Sequence, residues 1–203
     1  MYARNGNPNQ DWLEETVAAL HGADDAIVLG SGVAALHALF WTLLKTGDRV
    51  VYPKVSYMAV YRLFHELFNQ KFGVETVMVD MTDLEAVKKA ITPGTRLVHI
   101  ETPDNPTDGI SDIEAIAKIA HENEAVLSVD NTFASPLNQR PLDLGADFVV
   151  ESLTIYINGH GDAQGGAIIS NDLAAMDRIR YEAQVNVGSV ISPSMPGRFS
   201  AVP

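Results

Sequence analysis

Apolar and polar positions along the chain repeat with two different lengths. Apolar runs of four to six residues at 26–29, 49–52, 75–79, 96–101, 125–129, 147–150 and 166–169 have the length of buried strands. Between them, segments at about 32–44, 57–70, 82–91, 111–122 and 172–184 have the length of helices. The stretch 33–44 is apolar apart from His37 and Thr42 and predicts a buried helix. Strands alternating with helices call for right-handed crossovers, so the pattern predicts an α/β fold: three layers, a mostly parallel sheet with helices on both faces. Ahead of this alternation, residues 1–10, with Gly6 and Pro8, predict an irregular arm. Asn9 is placed to cap a helix over 11–20, closed by Gly22, with Trp12, Leu13, Val17 and Leu20 on one side. From Gly188 on, Pro193, Pro196 and Pro203 predict an irregular tail, which bounds one domain at 11–190 and a tail at 191–203.

Composition narrows the function classes. At 203 residues and 46% hydrophobic the chain has the makings of one globular α/β domain. A formal net charge of −12 speaks against a nucleic-acid partner, which needs clustered Lys and Arg. No stretch approaches the roughly 20 apolar residues of a membrane span, and no charged segment followed by an apolar one marks a secretory signal at the start. A soluble cytoplasmic protein is therefore expected. The absence of cysteine excludes disulfides and thiolate metal sites. The six histidines, at 21, 37, 65, 99, 121 and 160, include no i, i+4 pair, so no metal site is expected.

Candidate chemistry collects at the strand ends, where ligands of parallel sheets gather. Gly30-Ser31-Gly32-Val33-Ala34-Ala35 joins a strand to a helix, and its free backbone N–H groups would face an anion. The same spelling satisfies the dinucleotide fingerprint G-x-G-x-x-A, although the next strand runs into Pro53-Lys54 and offers no acidic ribose partner. It is equally the spelling of a tight turn into a packed helix. Tyr57 follows the second strand, either as core or as cover for a planar ligand. Asp130 ends a buried strand, where a carboxylate is costly unless paired. Ser152 and Thr154 lie in a polar loop after another strand, with Gly159 and Gly161 beyond, and suit a phosphate. Tyr2 and Arg4 sit on the arm, where solvated surface is the ordinary interpretation.

Taken in order, these motifs resemble the Cys/Met metabolism PLP-dependent enzymes, the family of cystathionine γ-synthase, cystathionine γ-lyase and methionine γ-lyase. The matching segments are Tyr2-x-Arg4 with Asn7-Pro8, the Ser31-Gly32 turn, Tyr57, Glu101-Thr102-Pro103-Asp104-Asn105-Pro106, Asp130-Asn131-Thr132, and Ser152-x-Thr154 after Gln139-Arg140-Pro141. The likeness runs from Tyr2 to about Ser192 and implies the large domain of fold-type I PLP-dependent transferases. It implies that the amides and hydroxyls of Ser31, Gly32, Val33, Ser152 and Thr154 hold the cofactor phosphate. It implies that Tyr57 stacks on the pyridine ring, Asn105 lies beside the 3′ oxygen and Asp130 keeps the ring nitrogen protonated. Tyr2 and Arg4 are implied to reach the phosphate of a neighbouring subunit. Three places depart from the pattern: Glu151 stands where His is common, Leu153 where a small residue is expected, and the pair Met58-Ala59 where Gly-Gly is usual.

The fourth departure decides the chemistry. The family lysine that carries PLP as a Schiff base falls between the Thr and the aromatic residue, and here that position is Ile155, which has no amine. Lys54 is the nearest substitute in the motifs but catalysis tolerates little misplacement. The expected function is a pseudoenzyme or partner subunit that binds PLP non-covalently. The alternatives are an active enzyme of γ-elimination or γ-replacement on methionine, cystathionine or an activated homoserine, completed by another chain; a dinucleotide-binding protein; and a fragment without independent function. The expected partners are a second copy, as dimer or tetramer, or a companion chain, with a small amino acid as ligand. The family's C-terminal domain is expected to be absent.

Overall fold

The computed structural model describes residues 2–199; Met1 and residues 200–203, the end of the expected tail, lie outside the described residues. The chain runs through α1 (Pro8–His21), β1 (Asp25–Leu29), α2 (Gly32–Leu43), β2 (Arg49–Pro53) and α3 (Met58–Tyr61). A π-helical stretch Arg62–Asn69 leads into α4 (Gln70–Phe72), then β3 (Glu75–Val79), α5 (Leu84–Ala90), β4 (Thr95–Glu101), α6 (Ile113–Glu122), β5 (Val126–Asp130) and α7 (Ser135–Asn138). The chain continues with β6 (Phe148–Ser152), β7 (Gly166–Ser170), α8 (Leu173–Glu182), a second π-helical stretch Ala183–Val187, and α9 (Pro196–Phe199), a single turn within the tail. All seven strands fall within two residues of their predicted spans. Their order is β1-β7-β6-β5-β4-β2-β3 in a seven-stranded sheet. β2 pairs in parallel with β3 and β4, and β4 with β5, whereas β1 pairs antiparallel with β7. The fold is α/β with a mixed, mostly parallel sheet.

The described residues form two compact units, one within Met1–Thr42, Ser135–Arg140 and Val150–Pro203, the other Leu43–Ala134 and Pro141–Val149. In the first, α1 begins three residues before the predicted start, and its cap is Asn7 rather than Asn9. The Asn7 side chain accepts the Gln10 N–H at 3.0 Å, and Pro8 occupies the first helical position, where its missing N–H is no loss and its fixed φ already suits a helix. Gly22 closes the helix at φ 65°. The buried stripe is Gln10, Leu13, Glu14, Val17, Ala18 and His21. Trp12 and Leu20, expected on that side, are 45% and 38% exposed. The stripe includes Glu14 because its carboxylate has work inside: it accepts the Val28 N–H of β1 at 3.0 Å and pairs with Arg180 of α8. In α2, Ala35, Ala38, Leu39 and Phe40 are fully buried, and Thr42 satisfies its hydroxyl on the Ala38 carbonyl at 2.7 Å.

The second unit shows the two-residue period of a sheet covered on both faces. Val51, Val98, Ile100, Leu127 and Val129 point into one apolar cluster with Val87 of α5 and Ile113 and Ile116 of α6. Their neighbours Tyr52 and His99 join the opposite side, where Phe64 lies 4.9 Å from the Tyr52 ring and 6.1 Å from His99. Phe64, Phe68 and Phe72 continue as a ladder of rings 6.2 and 6.1 Å apart. The helix predicted at 57–70 therefore forms, but its middle is π-helical, a winding that a 3.6-residue apolar pattern does not disclose. Each fully buried Val, Leu, Ile or Phe contributes about 1.5–3 kcal/mol by leaving water.

Candidate functional site

In the first unit the Ser31 turn meets the end of β6. Ser31 caps α2: its Oγ accepts the Ala34 N–H at 3.2 Å and its carbonyl accepts the Ala35 N–H at 3.1 Å. A Cβ on Gly32 would lie 3.0 Å from the Ser152 Cβ, and one on Gly166 only 2.2 Å from the Ser31 carbonyl oxygen. Glycine at both places lets the backbone of the turn approach the strand ends directly. Val33, 37% exposed, opens the first turn of the 12-residue helix outward. The turn thus presents helix N-terminal amides beside the Ser152 hydroxyl, a donor set that suits a phosphate.

Beyond Ser152 the loop doubles back. Thr154 Oγ1 accepts the Gly165 N–H at 3.2 Å and lies 3.3 Å from the Gly165 carbonyl. The Asn158 N–H donates to the Leu153 carbonyl and the Gly159 N–H to the Ile155 carbonyl, both at 2.9 Å. Leu153 fills the core, whereas Ile155 is carried on the outside of this turn, 44% exposed. Glu151, one residue before Ser152, is buried with its Oε1 3.3 Å from His21 Nε2 of α1, a pairing no sequence motif announced. Arg4 donates to the Gln184 carbonyl of its own chain at 2.8 Å and stands 5.6 Å over the Tyr2 ring, so the two arm residues are held together.

In the second unit the sheet supplies a row of carboxylates. Glu101 and Asp130 are register partners at the ends of β4 and β5. Asp130 Oδ1 accepts both the Thr132 N–H at 3.0 Å and the Thr132 hydroxyl at 2.6 Å, which orients the carboxyl group. Glu101 accepts the Tyr57 N–H on one oxygen at 2.7 Å and the Asn105 N–H on the other at 3.1 Å. Tyr57 and Asn105, far apart in sequence, are thus tied to one side chain. The Tyr57 side chain itself is half exposed. Motif matching found Tyr57, Asn105 and Asp130 but passed over the bracing roles of Glu101 and Thr132; an acidic residue ending a buried strand is the signal that points to Glu101.

Burial and the neighbouring Asp130 carboxylate push Glu101 up to about 8, against the lowering pull of the Tyr57 and Asn105 N–H groups. The ordinary value is 4.5. Between those values the folded chain holds a proton that the unfolded chain has released, so this group's contribution to stability falls as pH rises through the window. Glu101→Gln removes the titration. The variant is expected to gain stability relative to the parent between pH 5 and pH 8 in urea unfolding, and a difference that stays constant over that range would refute the assignment.

Among the described residues no group of three or more His, Cys, Asp or Glu is placed to hold a metal ion, and no helix is long and apolar enough to cross a membrane. The chain is 47% identical over 193 residues to a canavanine gamma-lyase of Pseudomonas canavaninivorans, a match covering 95% of this chain and 48% of that protein. It is 44% identical over 196 residues to an L-methionine gamma-lyase of Fusobacterium nucleatum subsp. polymorphum, covering 95% and 49%. The crystal structure of metB from Corynebacterium glutamicum superposes with a TM-score of 0.94 at 43% identity, over 98% of this chain and 51% of that one. The chain therefore spans about half the length of the relatives it matches. The sequence model of the Cys/Met metabolism PLP-dependent enzymes matches residues 1–196. The chain belongs to the Cys/Met metabolism PLP-dependent enzyme family.

Proposed function

We propose that this chain keeps the family's PLP pocket but holds the cofactor reversibly, without a covalent bond, and performs no lyase or synthase chemistry by itself. One feature of the sequence carries this: Ile155 stands where the resemblance puts the cofactor lysine, while Ser31, Gly32, Tyr57, Asn105 and Asp130 keep their order along the chain. The residues fit two parts of PLP and not a third. The Ser31-Gly32 turn, where a Cβ on Gly32 would press on Ser152, suits the phosphate. Asp130, oriented by Thr132, is a carboxylate suited to hold a proton on the pyridine nitrogen. Tyr57 has an exposed ring to cover a planar ligand. Ile155 has no amine for the aldehyde and no group to accept or return a proton at the substrate's Cα. When bound, PLP supplies an electron sink for a carbanion on an amino-acid substrate.

Purified chain mixed with PLP is expected to show binding that dialysis removes, and Asp130→Ala is expected to weaken it about tenfold or more, the pairing with a charged group being worth at least about 1.4 kcal/mol. Stoichiometric PLP resisting dialysis, or release of an α-keto acid from methionine, would overturn the proposal. The exposed Tyr2 ring with Arg4 beside it favours one alternative: a second copy, or a companion chain, in contact with Tyr2 and Arg4 completes the site for an amino acid carrying a leaving group on its γ carbon. Mixing with such a chain would then restore turnover only if it also brought an amine.

A further inference from the structure

The carboxylate of Glu101 stands at the end of β4 in the second unit, yet no cofactor role falls to it. Its residue is 5% exposed. It closes two loops at once. The connection after β2 ends at Tyr57, whose N–H reaches Oε2 at 2.7 Å; the connection after β4 brings back Asn105, whose N–H reaches Oε1 at 3.1 Å. Tyr57 also sits at the start of α3 without any side-chain cap of its own, so this bond is the polar anchor given to that corner. The same strand end is in register with Asp130. A two-oxygen acceptor buried between two backbone donors fixes both in direction as well as distance, because losing it would leave two N–H groups to find new partners.

We infer that Glu101 is a positioning residue for PLP, a buried brace that holds Tyr57 and Asn105 at the spacing the pyridine ring requires while Asp130 takes the ring nitrogen. This rests on the proposed non-covalent PLP pocket. Glu101 touches neither phosphate nor ring; it acts through the two loops. It follows that its loss separates ring recognition from phosphate recognition, which a general loosening of the fold would not do.

The test uses the full chain with PLP and with inorganic phosphate as separate probes, in the parent, Glu101→Ala, Glu101→Gln, Tyr57→Leu and Tyr57→Leu/Glu101→Ala. Glu101→Ala is expected to raise the PLP dissociation constant about tenfold, with Glu101→Gln intermediate because its amide oxygen still accepts one N–H. Phosphate affinity is expected to stay within about twofold, since that cradle belongs to residues 31–33 and 152. Amide exchange at Tyr57 and Asn105 should quicken while Val98 and Ile100 in the core remain protected. In the Tyr57→Leu background the effect of Glu101→Ala on PLP should shrink, the mark of action through that ring. Parallel loss of PLP and phosphate binding, an undiminished effect without the Tyr57 ring, or unchanged PLP affinity would each overturn the inference while leaving the pocket standing. Should Glu101→Ala fail to fold, the same readings on Glu101→Gln decide. A parent chain that does not bind PLP at all would overturn the pocket and the inference together.

Discussion

An Ile155→Lys chain incubated with PLP is expected to keep the cofactor through dialysis, whereas the parent loses it. The substitution asks little of the fold. Ile155 is 44% exposed, and its turn is closed by backbone bonds from Asn158 to Leu153 and from Gly159 to Ile155 that no side chain at 155 supports. An exposed change of this kind stays within about 0.5 kcal/mol. The new Nζ would condense with the aldehyde carbon of PLP, forming a carbon–nitrogen bond and releasing water. Borohydride reduction followed by peptide mass analysis would then find one pyridoxyl phosphate on the peptide carrying the new lysine. A labelled peptide elsewhere in the parent chain would mean that another amine serves, and the enzyme function would return. No retained cofactor in either chain would mean that the residues at 31–33, 57, 105 and 130 do not make a pocket by themselves.

The second large effect concerns stability. Arg180→Met is expected to cost about 3 kcal/mol, the lower end for breaking a buried ion pair, since Arg180 retains some exposure. Arg180 donates to Glu14, to both oxygens of Asp25 at 3.0 and 3.2 Å, and to the Ala26 carbonyl at 3.2 Å, so it joins α8, α1 and β1. Glu14 has further donors in the Val28 N–H and the Gln10 side chain, each at 3.0 Å. Even so, burial raises its pKa, with Arg180 pulling the other way. Without the guanidinium an uncompensated charge remains inside. The double variant Glu14→Gln/Arg180→Met is expected to recover part of the loss, because the amide oxygen keeps the Val28 bond and carries no charge. Chemical unfolding of the parent and the two variants decides; an Arg180→Met chain within about 0.5 kcal/mol of the parent would exclude this role of Arg180 in joining the three elements.

The elements were legible because their cues are local. Apolar runs of strand length stand out at 75–79 and 166–169, and Gly22 with its left-handed conformation ends α1 where the pattern stops. The site motifs were legible for the same reason: Gly30-Ser31-Gly32, Asp130-Asn131-Thr132 and Ser152-Leu153-Thr154-Ile155 each read within a few residues. The family and the succession of strands are therefore properties of the sequence alone, and the sequence alone carries the expectation that Ile155 stands where the family has its lysine. Tertiary structure decided what depends on partners distant along the chain. Asn7 caps α1 in place of Asn9 because only one of two similar side chains reaches the free N–H behind Pro8. Trp12 and Leu20 turn outward because Glu14 is drawn inward by Val28 and by Arg180, 166 residues away. Glu101 becomes a brace only when two loops bring the Tyr57 and Asn105 amides to its two oxygens. Hydrophobic periodicity is written in neighbouring residues, but a buried polar group must be satisfied by whatever donor the fold brings to it, and that donor appears only in three dimensions.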